Sequence, residues 1–191
     1  MTTASRRLPR LEPLTEPFSP ETEAALAGTM PPGVPPIALF RVVARSPRVM
    51  ARLKGGNLLD RGALALRQRE ILILRTTARC RAEHEWGVHV RFFAAKAGFS
   101  DEQVTDTANA DTDPALWSED EMLLIALADS LHDAVQVGDA LWVRLRAAFD
   151  DAILIEAVAV CGFYRMISGF VNAFQVPNEA GAPLFPEPVA A

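Results

Sequence analysis

Prolines and polar residues dominate the first twenty positions, with Pro9, Pro13, Pro17 and Pro20 recurring at short intervals. Such a stretch cannot form a helix and predicts an extended arm lying over the surface or onto a neighbouring subunit. Pro20-Glu21 opens a short helix that ends near Gly28, and the four prolines between Pro31 and Pro36 predict a loop. From Ile37 the apolar residues adopt helical spacing. Leu39, Val42 and Val43 precede a break at Ser46-Pro47, and Val49, Met50 and Leu53 follow it up to Gly55-Gly56, a pair suited to a left-handed stop. Helical spacing resumes through Leu64, Leu66, Ile71, Leu74 and Ala78, and again through Trp86, Val90, Phe93 and Ala97 to Gly98.

Ser100 with Gln103, and Ser118 with Glu121, have the spacing of capping boxes that open two more helices, the second running to about Leu131. A further helix covers Leu141 to Phe149. The last spans roughly Ala152 to Phe174, stops before Pro177, and is apolar enough in its middle to be buried on most sides. Strand patterns are nearly absent, so the reading is all-α, a bundle of about seven helices. One domain accounts for residues 1–191: an arm and short helix over 1–35, a helical core over 36–177 and an irregular tail over 178–191.

Composition narrows this little. Half the residues are apolar and 23% are charged, ordinary for a globular domain of 191 residues. The net charge of -5 argues against nucleic acid or an anionic membrane as partner. Arginines do cluster between Arg61 and Arg81, but they alternate with apolar residues, as on a solvated helix face or a subunit contact. No unbroken apolar run approaches the ~18 residues that span a bilayer, and the first residues lack the apolar stretch of a secretory signal. A cytoplasmic location is expected, with Cys80 and Cys161 as free thiols.

One group of acids and bases stands apart from surface charge: Glu70, Glu83, His84, Glu85 and His89. Glu85 and His89 are four apart, so a helix places them on one face, where a carboxylate can orient the ring and fix its tautomer. An antiparallel return through the turn at residues 79–82 would bring Glu70 to the same place. The same pair also fits a surface hydrogen bond, and Glu83-His84-Glu85 fits a polar first turn. Trp86 and Phe92-Phe93 fit core or interface aromatics, and His132 a helix C-cap. Other chemistries find no support: His84 and His89 are one residue too far apart for a zinc-protease motif, no glycine-rich phosphate loop follows a strand, there is no Gly-x-Ser-x-Gly elbow, and Cys80 has no Cys-x-x-Cys partner.

Three stretches together carry a family likeness: Leu66-Arg67-Gln68-Arg69-Glu70-Ile71-Leu72-Ile73-Leu74-Arg75, then Cys80 to Val90 with Glu85-Trp86 and His89, then Ala97 to Val104. They resemble the carboxymuconolactone decarboxylase-like family, which includes the alkyl hydroperoxidase D-like proteins. The last helix, around Glu156, Gly162, Phe163, Tyr164 and Asn172, resembles the closing helix of its longer members. The likeness covers roughly residues 35–177. It implies a bundle of the alkyl hydroperoxidase D-like type, assembled as a homo-oligomer (dimer, trimer or hexamer) with active sites at or near interfaces.

The peroxidase branch of that family pairs a Cys-x-x-Cys motif with a histidine and a glutamate on the preceding helix. Those last two fall on His89 and Glu70, while the thiol positions fall on Ala82 and Glu85, so dithiol peroxidase activity is not expected. The resemblance implies instead a lyase-type acid/base enzyme for a small carboxylated or lactone-type molecule, working without metal or organic cofactor. His89 would be the acid/base, Glu85 its orienting partner, and Glu70 a second acid or a partner for an arginine. Arg67, Arg75 and Trp86 are candidate substrate contacts, with Arg81 a further candidate cation. A Cys80-dependent peroxidase or reductase and a non-catalytic oligomeric binding protein are the alternatives.

Overall fold

A computed structural model of the chain describes residues 8–56 and 58–186. The outermost parts of the expected arm and tail, residues 1–7 and 187–191, lie outside the described residues. Among the described residues there are nine α-helices, one 3-10 turn (Pro114–Leu116) and no strand, counting residues 83–97 as one helix. They are α1 (Pro20–Leu26), α2 (Ala38–Val43), α3 (Pro47–Gly56), α4 (Leu66–Arg79), α5, α6 (Asp101–Asp106), α7 (Glu119–Ala134), α8 (Asp139–Ala148) and α9 (Asp151–Phe174). Helix α5 starts as Glu83–His89, widens into a π-helical turn over Val90–Ala94 and closes as Ala95–Ala97.

The local signals set most boundaries. Ser19, Ser100, Ser118 and Asp150 each accept a hydrogen bond from a backbone N–H of the first turn they precede. Ser100 with Gln103 and Ser118 with Glu121 form both expected capping boxes. Gly98, at φ 72°, ends α5 in the left-handed conformation. Gly55-Gly56 does not act as expected: both residues stay inside α3, and the positive φ falls on Leu58. A Cβ on Gly56 would stand 3.4 Å from the Phe163 ring, an ordinary contact, so α3 meets α9 there without needing a glycine.

Helix α4 is the centre of the bundle and packs against α5, α7 and α9. Every residue from Arg69 to Thr77 is buried, with Ile71, Leu72, Ile73 and Leu74 fully so. The expectation that α9 is the helix buried on most sides is therefore corrected. Helix α9 lies on the outside of α4 and buries one stripe, including Leu154, Ala157, Cys161, Tyr164, Ser168 and Val171, at the three- and four-residue spacing of a single face. Ile155, Val158 and Met166 are exposed on it. By length and composition α9, with mean hydropathy 1.6, is the one described helix apolar enough to cross a membrane.

The arginine cluster is also corrected. Arg67 pairs with Glu121 at 2.5 Å, Arg75 with Asp129 at 2.7 Å and Arg79 with Asp133 at 2.5 Å, so they tie α4 to α7. The described arm bonds to the helical core of its chain: Arg10 N–H donates to the Phe174 carbonyl at 2.9 Å, and Arg45 donates to the Glu12 carbonyl at 2.8 Å. The tail is irregular, as expected, but pinned onto α5. Glu83 accepts from the Asn178 side chain at 2.7 Å and the Phe185 N–H at 2.9 Å, and Arg91 donates to the Ala180 carbonyl. A Cβ on Gly87 would collide with the Pro183 carbonyl, so only glycine lets the tail lie this close.

Candidate active site

The turn after α4 reverses the chain so that α5 runs back along it. Arg81 takes the left-handed conformation there (φ 55°), exposed and away from the acids. This return brings Glu70, near the start of α4, to His89, near the end of the regular part of α5. His89 Nδ1 and Glu70 Oε2 are 2.7 Å apart, a short charge-assisted hydrogen bond with the ring N–H donating. On the other side, Nε2 lies 3.5 Å from Glu85 Oε1, one helical turn earlier. All three residues are buried, Glu70 completely.

Glu70 does the orienting that was expected of Glu85. Its second oxygen, Oε1, accepts from Arg69 Nε at 3.1 Å, and Arg69 also donates to the Leu59 carbonyl at 2.8 Å. Glu70 is therefore held from two sides and fixes the ring in turn. Glu85 is looser: its Oε2 is buried and has no hydrogen-bond partner among the described residues. Aromatic rings close the remaining directions around the imidazole, with Phe93 stacked at 5.2 Å and Tyr164 edge-on at 4.9 Å. The π-helical turn begins directly after His89 and sets where Phe93 falls, a distortion often found at functional sites.

Burial works to lower the His89 pKa, because it penalises the charged ring. The charge and hydrogen bond of Glu70, followed by those of Glu85, outweigh it and raise the pKa from 6.5 to about 9. The ring is thus an imidazolium at neutral pH, clamped between two carboxylates. Burial first, and then the Glu85 and Glu70 charges, push the Tyr164 hydroxyl well above its usual range, so it stays protonated beside them. Among the described residues no group of three or more His, Cys, Asp or Glu is arranged to hold a metal ion.

The expected substrate contacts are placed elsewhere. Arg75 is buried, grips Asp129 with two nitrogens at 2.7 and 2.9 Å, and donates to the carbonyls of Thr107, Asn109 and Ala110. Arg67 is held by Glu121 and by the Ala97 and Gly98 carbonyls, with its guanidinium over Phe99. Trp86 donates to the Thr107 hydroxyl at 3.0 Å and packs on Phe185. Each has its polar groups engaged in holding the fold. His84 faces the Pro177 carbonyl at 2.8 Å, on the tail side. The cation in contact with the acids is instead Arg69, which was not singled out, and the Tyr164 ring was unforeseen as part of the wall.

Comparison with known proteins agrees with this architecture. The family model described as "Carboxymuconolactone decarboxylase family" matches residues 44–129, which contain α4, α5 and all three site residues. No curated protein matches by sequence. Among solved structures, protein ATU0492 of Agrobacterium tumefaciens, a candidate antioxidant-defence protein AhpD of unknown function, superposes with TM-score 0.66 at 17% identity, over 72% of this chain and 95% of that one. An uncharacterized peroxidase-related protein from Silicibacter sp. TM1040 gives 0.62 at 16%, covering 73% and 75%. Another from Ralstonia eutropha JMP134 gives 0.57 at 20%, covering 74% and 76%. At these identities the likeness is one of fold.

Proposed function

We propose that this chain, which belongs to the carboxymuconolactone decarboxylase-like superfamily, is a lyase-type acid/base enzyme acting on a small carboxylated or lactone-type molecule. The observation that carries the reading is a cationic imidazole fixed by Glu70, with a second carboxylate, Glu85, leaving one buried oxygen unpartnered. A buried acceptor without a partner is costly to keep in a folded protein and is a natural place for a ligand to bind.

Loss of carbon dioxide from a lactone acid leaves an electron pair delocalised onto the lactone carbonyl, and a proton must then be delivered to carbon. The proton comes from the His89 imidazolium, and the Glu85 carboxylate stands beside it to relay the proton. His89 Nε2–H passes its proton to Glu85 Oε1 across the 3.5 Å gap, the carboxyl group hands it to the carbon, and the neutral ring takes another from water. Glu70 and Arg69 keep the ring pointed through the cycle. The positive imidazolium beside the substrate also offsets the developing negative charge.

The neighbours described as peroxidase-related suggest thiol chemistry, but Ala82 and Glu85 occupy the two positions where that branch carries its cysteines, and Cys80 opens onto another part of the molecule. Assembly into a homo-oligomer, in the cytoplasm, is part of the proposal.

The test is decarboxylation of carboxymuconolactone, followed as release of carbon dioxide, by the wild-type chain and by Glu85→Gln. The variant is expected to lose roughly 10²–10⁴-fold in rate, as the removal of a general acid/base does, while keeping its helical circular dichroism. Equal rates in the two proteins, or no turnover by the wild type, would remove the basis for this reading.

A further inference from the structure

A second constellation lies on a different face of α4. Thr76 and Cys80 are one helical turn apart, and the Cys80 N–H donates to the Thr76 carbonyl at 3.0 Å, so the helical spacing persists to the cap. Their side chains line a cavity of about 140 Å³ together with His132, Leu131, Val135 and Val158. That volume is close to the liquid share of roughly five water molecules. Val135 and Val158 are exposed and form its mouth, and Cys80 is half-buried behind them.

Three polar groups converge there. Cys80 Sγ lies 3.6 Å from His132 Nδ1, a thiol and an imidazole in contact. Arg165 lines the cavity too, but its guanidinium is anchored to the carbonyls of Leu131 and His132 at 3.1 and 3.0 Å. The third group is the Thr76 hydroxyl, buried and with no nitrogen or oxygen partner among the described residues. Its neighbour Thr77 shows what such a hydroxyl does when nothing else is asked of it, donating back to the Ile73 carbonyl at 2.8 Å. Thr76 does not; it reaches only the sulfur of Cys161, a weak acceptor that leaves the hydroxyl available to a carbonyl oxygen.

We propose that this cavity captures small aliphatic aldehydes covalently and reversibly through Cys80. The Thr76 hydroxyl donates to the carbonyl oxygen. The thiol sulfur forms a bond to the carbonyl carbon, the carbonyl π pair moves to oxygen, and His132 takes the thiol proton and passes it to that oxygen. The product is a hemithioacetal; every atom is retained and nothing is oxidised or reduced. The apolar walls hold the alkyl chain. Burial raises the Cys80 pKa, with Ser168 and the Arg165 and Arg79 charges opposing it, while burial and the same two arginines lower that of His132. Thiol and ring therefore rest neutral, ready to exchange one proton. None of these residues belongs to the Glu70–His89–Glu85 array, so the proposal stands apart from the lyase reading.

The test is carbon-13 NMR of the full chain with butanal labelled at its carbonyl carbon. The wild type is expected to show a signal for a carbon bonded to both oxygen and sulfur. That signal is absent from Cys80→Ser, retained in Cys161→Ser and weakened roughly fivefold in Thr76→Val, the scale of one lost hydrogen bond. A second measurement needs no variant: butanal should slow iodoacetamide alkylation of Cys80 several-fold in the wild type. Only free aldehyde and hydrate signals in the wild type, an adduct that persists in Cys80→Ser, full strength in Thr76→Val, or alkylation indifferent to butanal would each overturn the proposal.

Discussion

Two of the three histidines, His89 and His132, are in contact with groups from the same helix, α4, and they sit in opposite electrostatic states. His89 is buried and cationic at neutral pH; His132 is partly exposed and neutral. Exposure alone would assign the charges the other way round, because burial penalises the charged ring. The difference comes from the fixed charges each ring meets. Glu70 and Glu85 face His89. Around His132, burial and the guanidinium groups of Arg79 and Arg165 prevail over the weaker pull of Asp133 and Asp129. Helix α4 supplies both environments. Glu70 and Thr76 are six residues apart, which turns their side chains about 120° from one another around the axis. One central helix thus presents an acid to one side and a thiol with a hydroxyl to the other.

Removing the acid should have the largest effect on this contrast. Glu70→Ala leaves Arg69 and His89 buried without their shared partner, and breaking such an arrangement costs about 3–5 kcal/mol. Urea unfolding should report that loss, whereas Asp133→Ala, an exposed partner on the His132 side, should stay within about 0.5 kcal/mol of the wild type. A Glu70→Ala protein as stable as the wild type would mean that the clamp contributes nothing to the fold.

The next effect is pH. His89 holds its proton to about pH 9 when folded and releases it near 6.5 when unfolded. The stabilisation is therefore complete below pH 6.5 and disappears as pH rises through about 9. The shift corresponds to about 3 kcal/mol at most, shared among coupled groups. Unfolding curves at pH 6, 7.5 and 9.5 should show stability falling across this window, and His89→Gln should flatten the dependence. His132, with its pKa lowered, contributes no such loss there.

What could be read ahead of the structure follows the same division between local and distant causes. Glu85 and His89 were legible as neighbours because four residues make one helical turn, and Glu70 because a short turn at residues 79–82 forces α5 back along α4. The serine caps were legible for the same reason, since a cap and its first turn are contiguous. Arg69 was not: adjacent residues on a helix point apart, and only its long side chain lets it reach round to Glu70. Tyr164 arrives from α9, and His132 meets Cys80 across 52 residues, so neither contact leaves a periodic trace. The exposed stripe of Ile155, Val158 and Met166 was misjudged because an apolar residue says that cover is favourable, not that the same chain provides it.

The smallest effect lies at the mouth of the His132 cavity. Helix α7 ends on Val135 in the left-handed conformation, at φ 55° and ψ 27°. A β-branched residue is strained there, whereas the Glu70 side of α4 carries its cost in charge and not in backbone. Val135→Gly should relieve the strain and stabilise the chain by ~1 kcal/mol, because Val135 is 73% exposed and gives up little packing. The same change should leave the pH dependence set by His89 untouched, since the two rings answer to different charges. A Val135→Gly protein that melts lower than the wild type would show that the valine side chain contributes more as a wall of the cavity than it costs as a helix cap.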